Sequence, residues 1–314
     1  MANLVIGVDN GNAQTKTVNH MFPSGISKED KEPALNVEWL KYEGNYYVLS
    51  QSRNAYMKDK TENEETLVLT LFAIAKEIET RGCYQPFLNI DLAVGLPPEH
   101  LTTLRQKFKD YFLQKDCYNF FYNGRKYAIH FDSVLVCPQA FSAIMPEITE
   151  IERRSRAYIV DIGGYTTDVI EFHEGKLQYS SCVSLDNGVI TMFNKINRYL
   201  KTFDIFLSEH EIVSILSGNS HQFLNSQQMA WILGIADEYM GLLFRKLNEL
   251  QFSPKSSYIY FVGGGSLLMK PYIEKLLLEG RFSINPSPHA NAVGFELFVK
   301  QKKIKDKKVS DDGR

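Results

Sequence analysis

Residues 157–172, reading AYIVDIGGYTTDVIEF, gather two carboxylates, two glycines and two threonine hydroxyls on one short stretch. Tyr158, Ile159, Val160 and Ile162 form a β-rich apolar run around Asp161, which Gly163-Gly164 then breaks. Thr166, Thr167 and Asp168 follow at once. Glycines let backbone N–H groups approach an anion, and threonine hydroxyls add donors for phosphate oxygens or metal-bound water. Two carboxylates beside a polyphosphate would repel it unless a cation lay between them. The pattern therefore calls for Mg²⁺, held largely through water. Taken alone, the stretch also fits a plain hairpin with a glycine turn and solvated acids.

The same design recurs at the N-terminus. Asn3 to Asp9, NLVIGVD, is another apolar strand ending in aspartate, followed by Asn10, Gly11, Asn12 and a polar strand with Lys16. A lysine so placed can reach back across a hairpin to a phosphate as a point charge. A third strand, Tyr258 to Val262, ends in Gly263-Gly264-Gly265-Ser266, where a bulky ligand could lie against bare backbone before the next helix. Gly188 precedes an amphipathic run at an expected helix start suited to ribose or phosphate contact, and a simple capping role fits it as well.

These ordered motifs resemble the actin-like ATPases, the superfamily of actin, the sugar kinases and the DnaK-type chaperones. Phosphate-1 corresponds to Asp9-Asn10-Gly11 through Lys16, a connecting motif to Pro138-Gln139-Ala140, and phosphate-2 to Asp161 through Asp168. The adenosine motif corresponds to Gly263 through Ser266, and a final connecting helix to Asn291-Ala292-Val293-Gly294-Phe295. Size, motif order and the NAVGF segment are most similar to the bacterial ParM-type plasmid-segregation actins. The resemblance implies an α/β, actin-like (ribonuclease H-like) fold of duplicated domains with a nucleotide cleft between them. It also implies a cytoplasmic ATPase whose filaments turn over on hydrolysis and move or position DNA, most simply a plasmid, through a DNA-binding adaptor protein. The expected cofactors are Mg²⁺ and ATP, with GTP as the alternative nucleotide. Asp9 and Asp161 would hold the hydrated metal, and Gln139 and Asp168 would place the attacking water. Gly11, Asn12, Lys16, Gly163, Gly164 and Thr166 would cradle phosphates, and Gly263, Gly264, Gly265 and Ser266 the adenosine.

Gln139 bears on reaction type. A kinase acting on a hydroxyl needs a carboxylate base, whereas an amide cannot ionise and can only orient a nucleophile by hydrogen bonding. An amide at this strand end therefore points to water as the nucleophile. Actins carry glutamine at the position and ParM-type relatives often glutamate, a difference that touches rate rather than reaction type. Glutamine after proline is also an ordinary helix-start residue.

The elements that must position these residues are readable in outline. Leu67, Leu71, Ile74 and Ile78 form a helical stripe; Ile90, Leu92, Val94 and Leu96 alternate as a strand that Pro97-Pro98 ends. Leu101, Leu104, Phe108 and Phe112 mark the next helix, and Asn123-Gly124 a hairpin. Val134 to Cys137 predicts a strand, and Ala140 to Met145 a helix. Residues 20–65 read as an elaboration, with a hairpin at Gly44-Asn45 and a charged segment, Lys58 to Glu65, that is either a solvated loop or a surface for the next subunit. In the second half, Val189, Met192, Phe193 and Ile196 share a helical face, and Ser208 with Glu211 forms a capping box. A helix is expected over 226–250 with Trp231, Ile235, Leu242 and Leu250 buried. Leu267 to Leu278 reads as a helix, Ser283 to Asn285 as a strand, and Ala290 to Val299 as a returning helix. The expected domains are 1–155, including the insert at about 20–65 and a returning helix at 290–303, and 156–289, with a helical lobe at about 189–250. Residues 304–314 read as a charged, frayed tail.

Composition agrees with a two-domain chain. Its 314 residues, 44% of them hydrophobic, suffice for two cores. A net charge of −2 argues against direct nucleic-acid binding. The four scattered cysteines read as reduced core residues, and no run of residues approaches a membrane span or an export signal. Isolated His210 and His221 lack a second ligand at metal spacing. Two other readings remain: a small-molecule kinase of the same fold, disfavoured by the lack of a carboxylate beside Pro138, and a non-hydrolysing ATP-binding scaffold such as a cell-division actin relative. The latter would call for an amphipathic membrane tail, which the last residues do not supply.

Overall fold

A computed structural model describes residues 3–34, 37–50, 57, 59–253 and 255–312, and in it the apolar runs become the strands of two sheets. The chain packs as two units, residues 1–146 with 289–314, and residues 147–288. In the first unit β1 (Leu4–Asn10), β2 (Gln14–Lys16), β3 (Met21–Pro23), β4 (Ile26–Glu29), β5 (Trp39–Tyr42) and β6 (Asn45–Leu49) come before helix α1 (Glu65–Thr80). Strand β7 (Leu88–Leu96), helix α2 (Pro98–Phe112), β8 (Tyr118–Tyr122) and β9 (Arg125–Pro138) follow. The second unit holds α3 (Ile148–Glu152), β10 (Arg156–Ile162), β11 (Thr167–His173), β12 (Lys176–Leu185), α4 (Val189–Leu200), α5 (Glu209–Leu216) and α6 (Ser226–Glu249). It ends with β13 (Tyr258–Val262), α7 (Gly264–Leu268), α8 (Lys270–Leu276) and β14 (Phe282–Ile284), after which α9 (Ala290–Asp312) rejoins the first unit.

The two sheets share one plan. The five-stranded sheet runs β12-β11-β10-β13-β14, with β10 antiparallel to β11 and parallel to β13. The nine-stranded sheet begins β3-β2-β1-β7-β9, with β1 antiparallel to β2 and parallel to β7. Order and sense repeat strand for strand, so the fold is a duplicated α/β domain, as the motif resemblance implies. Asp9 and Asp161 stand at the same place in the two copies, near the carboxyl end of the central strand. That end is where ligands of open α/β sheets bind.

Period-two alternation explains how the first sheet is covered. Ile90, Leu92, Val94 and Leu96 of β7 enter the core that α1 and α2 help to close. Asp91, Ala93 and Gly95 face the other way, toward α9. A Cβ on Gly7 would come 2.3 Å from the Ala292 carbonyl oxygen, and one on Gly95 would come 2.1 Å from the Phe295 ring, so both glycines let α9 lie directly on the sheet. Ion pairs anchor the same helix: Arg81 to Glu296 at 2.6 Å, and Lys303 to the buried Asp91.

Several expectations need correction. The elaboration at 20–65 is not set apart, because β5 pairs with β8 and carries β6 and β4 as an extension of the main sheet. The first unit ends at Pro146, ahead of residue 155. The segment after it goes with the second unit, where the Arg154 guanidinium lies 4.0 Å from the Tyr258 ring centroid. Residues 140–145 are a turn and the start of a 3₁₀ helix (Ser142–Glu147) rather than an α-helix. The expected helix 267–278 is two short ones broken at Met269. On α6 only Ile235 of the four named residues is buried; Trp231 is 52% exposed, and Ile232, Tyr239, Leu243 and Leu247 form the inner face instead. Of the cysteines, only Cys137 is buried. The tail is helical through Asp312.

Candidate functional site

In the first unit the site is built on the turn after β1. The Gly11 N–H donates to the Asp9 carbonyl at 2.9 Å, and a Cβ on Gly11 would sit 2.6 Å from the Gln14 carbonyl oxygen. This turn admits no side chain at that position. Asp9 pairs in register with Lys16, which places the lysine on the strand beside it. Asn12 accepts from the Met57 N–H at 3.4 Å, and the Asn10 amide donates to Thr70 at 3.0 Å.

Gln139 comes to Asp9 from the end of β9. Its Nε2 donates to Asp9 Oδ1 at 2.6 Å, and both side chains are buried. A carboxylate accepts only, so the amide must present its NH₂ to Asp9, which leaves Oε1 as the acceptor for a water proton. The backbone around it is over-determined. Ala140 is left-handed at φ 61°, its N–H donates to Asn291 Oδ1 at 2.9 Å, and the Gln139 N–H donates to the Leu96 carbonyl at 2.9 Å. Such a conformation costs on the order of 1 kcal/mol in a non-glycine residue and persists where neighbours impose it. Helix α9 is the neighbour: a Cβ on Gly294 would fall 1.8 Å from the Ser142 carbonyl oxygen.

The second unit holds the other carboxylates. Asp161 and Asp168 are directly paired across β10 and β11, and both are buried. Ser184 donates to Asp168 Oδ1 at 2.5 Å. Burial, and after it the charge of Asp168, pushes the Cys182 thiol up to about 11, so Cys182 stays protonated at neutral pH. Two adjacent buried carboxylates are hard oxygen donors of the kind that can hold a divalent cation. No cluster of three or more His, Cys, Asp or Glu exists among the described residues.

The turn Gly163–Thr166 is braced by the start of α4. Val189 N–H donates to the Gly163 carbonyl at 3.1 Å, Ile190 N–H to Gly164 at 2.9 Å, and Gly188 N–H to Tyr165 at 2.8 Å. Gly188 is therefore a packing position, where a Cβ would lie 2.2 Å from the Gly164 carbonyl oxygen. Burial raises the Tyr239 phenol, whose hydroxyl donates to the Asn187 carbonyl at 2.7 Å and fixes the same helix start.

The glycine triplet divides by role. Gly263, at φ 85°, would place a Cβ 2.1 Å from Asp161 Oδ1, and Gly265 would place one 2.5 Å from the Ile162 carbonyl oxygen. Only Gly264 faces open space. Ser266 is fully buried with its hydroxyl donating to the Val262 carbonyl.

Three residues near the first turn escaped the sequence reading. Lys60, in the segment read as a solvated loop or subunit surface, is buried and donates to the Asn10 carbonyl. Ser24 donates to the Gly11 carbonyl at 2.5 Å, and Asn291 holds Ala140. Only Asn291 carried a signal, through its place in the NAVGF segment.

Residues 7–141 match the family model of the actin-like proteins' N-terminal domain. No curated protein matches the chain by sequence comparison. Among solved structures, the archaeal actin homolog Ta0583 in complex with ADP superposes with a TM-score of 0.73 at 16% identity, over 95% of this chain and 99% of its own. A non-polymerisable quadruple mutant of pCBH ParM gives 0.76 at 18% identity, over 96% and 100%. The Alp12 filament structure gives 0.68 at 13% identity, over 96% and 100%. The first 141 residues are thus similar to the actin-like proteins' N-terminal domain from residue 7 on, and the fold of the chain is similar to that of ParM.

Proposed function

We propose that this chain is a Mg-ATP-dependent, filament-forming ATPase of the cytoplasm whose polymer moves or positions DNA, with plasmid segregation as its task. The observation that carries the hydrolytic part is the Gln139 amide fixed on Asp9 with its oxygen left to receive a water proton. ADP in the archaeal homolog supports an adenine nucleotide as the ligand, ATP ahead of GTP. The filament structure of Alp12 supports self-assembly. A DNA-binding adaptor is the further partner proposed. Domain I of the actin plan would be the first unit and domain II the second.

In this reading each unit contributes one phosphate-directed turn. Gly11, Asn12 and Lys16 bind phosphate oxygens from one, and Gly163, Gly164 and Thr166 from the other. Asp9 and Asp161 would hold a Mg²⁺ ion, largely through water. When bound, that ion neutralises charge on the phosphates. Gln139 orients the attacking water, and Asp168, held by Ser184, accepts a hydrogen bond from it. Gly264 supplies the bare backbone for adenosine, while Gly188, Gly263 and Gly265 keep the surrounding turns in place.

Sedimentation with ATP and Mg²⁺, set against ATP with a chelator, tests the reading together with phosphate release. Metal-dependent pelleting followed by disassembly as phosphate appears is the expected result. Transfer of the phosphoryl group to a small hydroxyl compound, with no polymer, would assign the fold to a kinase instead.

A further inference from the structure

Lys60 is buried, and the chain on both sides of it is anchored. Asp59 takes Lys107 of α2 at 2.5 Å and accepts from the Thr61 N–H at 3.0 Å. The Asn63 carbonyl accepts from the Tyr111 hydroxyl at 2.8 Å, and Glu64 accepts from Tyr47 of β6 at 2.8 Å. The lysine thus stands on a fixed stretch of backbone. Burying an ammonium costs hydration and rotamer freedom, so a lysine held inside needs good acceptors. One of them is the Asn10 carbonyl. Asn10, Gly11, Ser24, Lys60 and Glu65 line one small cavity of about 20 Å³, so the lysine and the serine converge on the same turn.

What the two side chains hold there is set by Gly11. The turn needs glycine, because a Cβ would meet the Gln14 carbonyl oxygen at 2.6 Å. Glycine also loosens the two peptides that flank it, which can rotate into orientations that a side chain would forbid. The carbonyls of those two peptides are the ones taken from outside the turn: Asn10 by Lys60, and Gly11 by the Ser24 hydroxyl at 2.5 Å. Ser24 is itself pinned, by its N–H on the Ala13 carbonyl at 3.0 Å and by the Thr15 hydroxyl at 2.9 Å. In a trans peptide the N–H points opposite to the carbonyl. Holding the Gly11 carbonyl therefore directs the Asn12 N–H away from Ser24, and holding the Asn10 carbonyl keeps the Gly11 N–H on Asp9.

We propose that Lys60 is a positioning residue for the nucleotide phosphates: its ammonium clamps the Asn10 carbonyl and, with Ser24 on the Gly11 carbonyl, holds the glycine turn in one conformation before a phosphate arrives. A turn that is competent only a fraction of the time binds more weakly by that fraction. The clamp removes that loss. The proposal rests on the phosphate reading of the first turn and goes further by naming residues outside its motif that set its conformation.

ATP and adenosine, which differ in the phosphates alone, test it by displacement of a fluorescent ATP analogue. Lys60→Met keeps the length of the side chain and removes its charge and its donor. It should weaken ATP binding about tenfold, as expected of a turn competent about one time in ten, with adenosine binding within about twofold of wild type. Ser24→Ala removes a single oxygen and no charge, so it tests the clamp by a smaller perturbation and should weaken ATP with the same selectivity. The double variant should lose less than the product of the single losses, because one freed peptide already lets the turn move. Wild-type ATP affinity in Lys60→Met, or an equal loss for ATP and adenosine, would overturn the proposal. A loss in Lys60→Met with none in Ser24→Ala would assign the effect to the lysine's charge on the phosphates and overturn the clamp. Wild-type protein that binds ATP no more tightly than adenosine would overturn the phosphate reading first.

Discussion

Gln139→Ala separates hydrolysis from binding, and the structure sets the size of both effects. Under the proposed role the substitution removes the group that orients water, a loss that typically costs tenfold to a thousandfold in rate, or ~1.4 to 4 kcal/mol of barrier. It also removes the 2.6 Å donor on Asp9 Oδ1, inside a site where both residues are buried. A buried acceptor left without its donor costs about 1 to 3 kcal/mol, which for a unit of this size lowers Tm by several degrees. Nucleotide affinity should change little, because an amide facing Asp9 does not grip a ground-state phosphate. Single-turnover phosphate release, fluorescent-nucleotide titration and sedimentation read the three consequences separately. Slow release, near-normal affinity and long-lived ATP polymer are expected. Normal hydrolysis, or a variant that binds ATP and cannot polymerise, would refute the role given to Gln139.

Asp161→Asn should weaken Mg-dependent nucleotide binding or abolish turnover with the fold intact by circular dichroism; wild-type turnover would remove Asp161 from the metal site. Lys16→Ala should lower nucleotide affinity about tenfold, the ~1.4 kcal/mol scale of one charge-assisted phosphate contact, and an affinity equal to wild type would make Lys16 an ordinary strand residue. Glu77 gives a pH test. Burial alone would raise its carboxyl, but donors from Thr17 and Asn19 and the charge of Arg81 hold it below the ordinary 4.5. Its stabilisation is therefore complete above that pH and fades as pH falls through the lower folded value. Thr17→Val should narrow the fading, measured by urea unfolding between pH 3 and 6 (approximate limits of the glutamate range); an unchanged acid slope would dismiss Glu77 as the cause.

What the sequence made legible is chemistry at strand ends. An apolar run punctuated by glycine marks β1, β10 and β13 and their turns from local residues alone, with an aspartate near the end of the first two. Placement by distant partners is another matter. Ala140 reads as a helix start because nothing nearby reveals that Asn291, far along the chain, takes its N–H and holds it left-handed. Lys60 sits in a run of charges whose local signal is solvation, and only the folded backbone shows the Asn10 carbonyl above it. On α6 the periodicity was present but its phase was not, because the exposed stripe carries a tryptophan and leucines, residues that usually point inward.

The duplicated topology adds a relation that no single motif contains. Register places Lys16 opposite Asp9 in the first sheet and Asp168 opposite Asp161 in the second, so one structural slot holds a cation in one copy and an anion in the other. The copies are thus not interchangeable. The first sets a positive charge beside a carboxylate, whereas the second sets two carboxylates beside each other on neighbouring strands.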